Sequence, residues 1–343
     1  MQFFNDHIAY KKRLYIAFCL VGGYLLVALV LNTSAISASV GSDSAMMLHA
    51  ADNIGGLEND RSTRFMSQIF SIVGGYEIAK FLNLIICSFF IFYMSIGTTS
   101  KKGQLILIVL IAASAFAYMR APHKETFLLL SYGALMIAGK RFSPKKMFLV
   151  IFSFLIFYAF MARVYYFLIA LFFLGFILLS VLNARSRIFA VFAAFIIFLL
   201  IPFELLAPLQ ITRDNSSWYR VLYPDYPGFR TAFENILPVD DKFNFIVNYL
   251  YGIFRLNLPL PFHWTIKEIV HSTIVFWFFK YILQAYRLNP VAKVIALYCL
   301  ANFCVLWFFE PDLGSYLRHF IVLLPLLVMT QREFVHYRWK FKV

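Results

Sequence analysis

The chain has 343 residues, of which 62% are hydrophobic and only 14% charged, with 41 Phe and a mean hydropathy of +0.75. A soluble domain cannot hide that much apolar surface, whereas a bilayer absorbs it, and about 20 apolar residues suffice for one spanning helix. The net charge of +14 is divided among short loops and makes no single patch, which argues against nucleic acid and for anionic membrane lipid as the partner of those loops.

Long runs of Leu, Ile, Phe and Ala lack the period-two alternation of barrel strands, so helices are expected. The fold class that follows is all-α: a polytopic transmembrane helical bundle forming a single domain over residues 1–343. Ten spans are expected, at residues 14–31, 78–97, 104–119, 124–138, 147–161, 164–182, 188–207, 269–286, 291–309 and 317–331. Four of them, 104–119, 124–138, 147–161 and 317–331, fall short of the ~18 residues of a secure span, as suits helices inside the bundle. Residues 32–77 form a first outer segment, and residues 208–268 a large outer loop carrying short amphipathic helices.

Lys and Arg collect in cytoplasmic loops, which tests this topology. With both termini inside, the inner segments hold Lys11, Lys12, Arg13, Lys101, Lys102, Lys140, Arg141, Lys145, Lys146, Arg185, Arg187, Arg287, Lys293, Arg332, Arg338, Lys340 and Lys342 against only Asp6 and Glu333. The same rule demands a turn at Met161 to Val164, since otherwise the clusters at 140–146 and 185–187 would lie on opposite faces; the turn puts Arg163 outside. The apolar run after Lys11, Lys12 and Arg13 is long for a secretory signal, so an uncleaved anchor is expected. Cys19, Cys87, Cys299 and Cys304 all fall in expected spans without metal spacing, and no metal or cofactor is expected. Every inner connection is short and no GxxxxGK[ST] occurs, so chemistry belongs to the outer face.

Five stretches carry charge there. In RAPHKE, Pro122 suits the first residue of a helix, and the free N–H groups of that terminus would face an anion beside Arg120, His123 and Lys124. Glu125 is then a base or an orienting partner of Lys124; a snorkelling interfacial loop is the plain alternative. Arg163 sits alone in YAFMARVYYF, facing either a polar cavity or an aromatic belt at the interface. In FFEPDLGSYLRHFIVLLP, Asp312 and Arg318 either pair structurally, or Arg318 grips a phosphate while Glu310, Asp312 or His319 handles a proton. Asp43, in VGSDSAMMLHAAD, reads equally as a solvated loop residue. The large outer loop mixes Trp218, Tyr219, Arg220 and Tyr223 with further charges, which suits sugars whose C–H faces stack on rings; an interfacial amphipathic helix fits 231–262 as well.

The pattern resembles the bacterial polysaccharide polymerases of the Wzy type, which are related to GT-C glycosyltransferases and O-antigen ligases. The likeness is carried by APHKE at 121–125, MARVYY at 161–166, the late outer loop and GSYLRHFIVLLPLL at 314–327, while GSDS resembles a first-loop acidic position of GT-C enzymes. It implies a GT-C-like bundle in the bacterial inner membrane that joins undecaprenyl-diphosphate-linked oligosaccharide repeat units into O-antigen, capsule or exopolysaccharide. It implies further that Arg120, Lys124, Arg163 and Arg318 stabilise the departing diphosphate without a metal. Glu125, His319 and Asp312 compete as base, in that order, and Asp43, His123, Trp218, Tyr219, Arg220 and Tyr223 meet the glycan. A chain-length regulator is an implied protein partner.

The rival readings are a GT-C enzyme adding one sugar from a polyprenyl monophosphate, an O-antigen ligase, and a lipid-linked oligosaccharide transporter. Charges near span ends rather than mid-span speak against transport. Asp43→Ala separates the first rival from polymerisation: assayed as glycan chain length in cells, it should abolish a single-sugar transferase but reduce a polymerase only modestly.

Overall fold

The computed structural model describes residues 14–25, 61–97, 124–139, 142–222, 231–327 and 330. Among these residues there are helices and connecting turns and no strands. In chain order the helices are α1 (Leu14–Leu25), α2 (Arg61–Ile72), α3 (Tyr76–Gly97), α4 (Lys124–Ala138), α5 (Pro144–Met161), α6 (Tyr166–Val181), α7 (Ala184–Leu200), α8 (Phe203–Leu222), α9 (Lys242–Asn257), α10 (Ile266–Leu288), α11 (Pro290–Phe309) and α12 (Leu313–Ile321).

Short polar residues start these helices by accepting the otherwise orphaned N–H groups of a first turn. Ser143 accepts from the Lys146 amide, Asn183 from Ser186, Asp241 from Asn244, Asn289 from Ala292 and Asp312 from Ser315. Pro144 and Pro290 occupy the following position, where a missing N–H costs nothing. Between α2 and α3, Gly74 and Gly75 take φ of 101° and 100°, a backbone conformation open to glycine and costly for other residues. The Gly75 amide thereby reaches back to the Phe70 carbonyl at 2.7 Å and closes α2.

By length and composition, α5 and α11 can each cross a membrane, and α7 with the first part of α8 would make a third span if the bent pair counts as one. The membrane-helix character expected of the chain is thus present. α4 and α6 have 15 and 16 residues; at about 1.5 Å each they reach roughly 22 to 24 Å, less than the ~30 Å of a hydrocarbon core. Two expected spans are not continuous helices. The run 188–207 breaks at Ile201 and Pro202, where α7 and α8 meet at 89°, because proline supplies no N–H and bars helix at the residue before it. The run 317–331 ends its helix at Ile321. The expected turn near Met161 is present, between the end of α5 and the start of α6. The span expected at 104–119 lies outside the described residues.

The central element is α11. In its spanning window 83% of residues are buried, against 28% in α5, so α11 is surrounded by protein while α5 faces outward along much of its length. It packs against α5, α6, α8, α9, α10 and α12. On α11, Tyr298 pairs its hydroxyl with that of Tyr132 on α4, and its ring meets Phe173 of α6 edge-on at 5.6 Å. Such aromatic pairs add about 0.5–1.5 kcal/mol beyond area burial. α7, by contrast, buries none of its residues.

Helix α9 approaches α11 closely at Gly252. A Cβ there would lie 2.7 Å from the Trp307 carbonyl oxygen and 2.5 Å from Arg213 Nη2, so the chain must give way to accept any side chain. Gly252→Ala should therefore lower the thermal midpoint of the detergent-purified protein, at an overpacking cost of about 1–3 kcal/mol. Gly175, with nothing within 4 Å of its own Cβ position, serves as the comparison and should tolerate Ala.

Candidate functional site

Four helix ends bring ionisable groups together at one end of the bundle. Glu125 comes from the first turn of α4, Arg163 from the turn between α5 and α6, Glu310 from the end of α11, and Arg318 and His319 from α12. Their local origins differ. The α11 helix ends because Pro311 follows Glu310, and Asp312 then restarts the chain as the cap of α12, its carboxylate accepting from the Ser315 amide at 2.8 Å. Arg318 and His319 lie in the last turn of α12.

Glu125 is the hub. Its carboxylate is 2% exposed, and Arg163 Nη2 donates to its Oε1 at 2.9 Å. His319 Nε2 stands 3.1 Å from the same oxygen, and Arg318 Nε lies 3.7 Å from Oε2. A carboxylate buried this deeply without compensation would cost several kcal/mol, which the surrounding donors offset. Its first oxygen accepts from Arg163 and its second faces the Arg318 cation. Its geometry is that of an orienting partner for Arg163 and Arg318.

His319 lies between two carboxylates. Its Nδ1 is 2.5 Å from Glu310 Oε1, while its Nε2 meets Arg163 Nη1 at 2.5 Å as well as Glu125 Oε1. With a proton on Nδ1, beside Glu310, Nε2 accepts from Arg163 when bare and donates to Glu125 when protonated. It is therefore the ring atom at which a proton can arrive or leave. The Glu310 approach is close but off-line: neither carboxylate oxygen makes an in-line hydrogen bond among the described residues. Burial alone would raise the Glu310 carboxyl, but His319, the Ser315 side chain and the Arg318 cation together outweigh burial and hold the acid below its usual range. Glu310 thus stays ionised at neutral pH and suits holding an imidazole better than taking a proton.

Arg163 is tied from a second side, since its Nη1 also donates to the Tyr165 hydroxyl at 2.8 Å. Burial would lower its pKa, yet Tyr165 and Glu125 outweigh that and raise it, so the guanidinium remains a cation.

Of the residues singled out from the sequence, Glu125, Arg163, Arg318 and His319 are brought together. Asp312 is a helix cap, and its carboxylate is placed by that task. Lys124 is the first residue of α4, and Trp218, Tyr219 and Arg220 belong to the last turns of α8. Asp43, Arg120, His123 and Tyr223 lie outside the described residues. Two residues gain weight: Tyr165, which MARVYY places two positions after Arg163, and Glu310, a buried carboxylate one position before the proline that ends α11. Among the described residues no group of three or more His, Cys, Asp or Glu is arranged to hold a metal ion.

No family model, curated protein or solved structure matches the chain.

The ion-pair geometry sets an order of costs. Arg163→Ala leaves the Glu125 carboxylate buried beside a weaker set of donors and should cost up to about 3–5 kcal/mol of stability, read as the unfolding midpoint in detergent. Adding Glu125→Gln removes the stranded charge, so the double variant should recover part of the loss. A double variant as unstable as the sum of its single changes would show that the pair is not coupled.

Proposed function

We propose that the chain is a metal-independent glycosyltransferase of the bacterial inner membrane, with both termini cytoplasmic, that polymerises undecaprenyl-diphosphate-linked repeat units. One observation carries this reading: two arginines from separate elements and a histidine held by a second carboxylate meet around one buried glutamate. The grouping joins a cationic side, suited to a developing diphosphate, to a proton-handling ring, and such transfer needs both. It lies at helix ends, where an outer-face reaction is expected, and not halfway along a span as a transport site would. Arg120, His123 and Lys124 stand next to Glu125 in the chain.

In the reaction, a hydroxyl of one lipid-linked unit attacks the anomeric carbon of the other. The new C–O bond forms as the bond from that carbon to the diphosphate oxygen breaks, and the diphosphate leaves with the bonding pair. Arg163 and Arg318 meet the charge that builds on the departing oxygens; their guanidinium groups are already fixed by Glu125, so little reorganisation is required. His319 Nε2 takes the hydroxyl proton, releasing its contact with Arg163, and the resulting imidazolium is stabilised between Glu310 and Glu125. This assignment moves His319 ahead of Glu125 and Asp312 as base.

His319→Ala is expected to leave protein in the membrane while cells accumulate single repeat units, with chain extension reduced about a hundredfold or more. Arg318→Ala should give the same phenotype, whereas Asp312→Asn, which keeps a capping oxygen, should retain most extension. Normal chain-length ladders from both His319→Ala and Arg318→Ala would sink the proposal.

A further inference from the structure

Residues 231–237 cross from the α8 side of the protein to the α11–α12 corner as a non-helical segment. Phe233 donates its amide to the Pro311 carbonyl at 3.0 Å. Pro311 stands directly between Glu310 and the α12 cap Asp312, so this bond holds the backbone that carries both. The segment is fastened two residues further on by Asn235, whose side chain uses all its main hydrogen-bonding capacity. Its Oδ1 accepts from Arg213 Nη1 at 3.0 Å, and its Nδ2 donates to the Gln210 carbonyl at 3.1 Å and to Asp214 Oδ2 at 3.0 Å. The Asn235 amide donates to Asp214 Oδ1 at 2.9 Å. A second amide side chain, Asn248 of α9, pairs in both directions with the backbone of Leu237, at 3.0 and 2.9 Å.

The other end of the fastening is α11 itself. Arg213 is fully buried, donates through Nη2 to the carbonyl of Trp307, and carries Phe233 against its guanidinium at 5.0 Å. One buried cation therefore binds the segment and the last turn of α11, three residues before Glu310. A charge-assisted hub of this kind is among the stronger hydrogen-bonded arrangements available to a protein.

We propose that residues 231–237 are a strap that fixes the Glu310–Pro311–Asp312 corner, with Asn235 a positioning residue for Glu310 and, through it, for the His319 ring. The functional half of this inference rests on His319 being the proton acceptor; the mechanical half does not.

The test is hydrogen–deuterium exchange on the purified full-length chain in detergent, reading the backbone amides of residues 313–321. Asn235→Asp sets a carboxylate against Asp214 and the Gln210 carbonyl, and should speed exchange in α12 roughly tenfold. Adding Asp214→Asn returns a donor to the pair and should bring exchange most of the way back. Asn244→Ala, which removes a side chain that donates to Asp240 at the exposed start of α9, should change nothing in α12. Unaltered α12 exchange in Asn235→Asp, with 231–237 itself loosened, would overturn the strap, as would equal loosening of α5 and α6, which would mark a general folding role. In cells, chain extension should fall in Asn235→Asp and recover in the double variant; unchanged extension alongside the expected exchange would overturn the positioning role alone. Normal chains from His319→Ala would instead remove the proposed chemistry, and the exchange result would stand without it.

Discussion

A carboxylate sealed into an apolar bundle is the constraint on which the site depends. Glu125 sits at the start of a short helix with a 2% exposed side chain, and such a charge is tolerable only where other elements deliver cations to it. Arg163 and His319 reach its first oxygen, and Arg318 faces its second. The turn between α5 and α6 and the corner between α11 and α12 are thereby drawn to the same point. A hydrophobic core built of Leu and Phe does not by itself select which helix ends meet. A buried charge with few acceptable partners does, and this selection is one use of polar groups whose net contribution to stability is small.

The same constraint shapes reactivity. Guanidinium groups already committed to a carboxylate are oriented before any ligand arrives, and a phosphate with its forked oxygens competes on equal geometric terms with Glu125. His319, flanked by Glu310 and Glu125, has one nitrogen directed at a carboxylate and another that can change partners. On the proposed reading, the arrangement separates holding a charge from moving a proton and gives those tasks to different side chains.

Much of the architecture was legible because uninterrupted apolar runs in a chain of this composition leave little besides helices. The turn after Met161 was legible from the distribution of Lys and Arg. Pro202 was the signal for the break at 89°, but hydropathy continues through it and hid the bend. Asp312 illustrates a different failure: in Asp-Leu-Gly-Ser the spacing of a helix cap to its third following residue was present, while the neighbouring arginine made an ion pair or a base equally natural to read. Convergence of Glu125, Arg163, Arg318 and His319 could be anticipated as sharing one end of the bundle, though no local pattern singles out Glu125 as the centre. Arg213 falls within the large outer loop, where interleaved charges look alike whether they face inward or outward. Only the packing of α9 at Gly252 reveals that it is buried.

Binding of undecaprenyl diphosphate to the purified protein, followed by native mass spectrometry, tests the central claim most directly. The wild-type chain should hold the diphosphate lipid in preference to undecaprenyl monophosphate, and replacing Arg163 and Arg318 together with Ala, in protein whose α5 and α11 exchange remains protected, should weaken that binding at least about tenfold. Equal retention of the diphosphate lipid by the wild-type and doubly substituted chains would contradict the account.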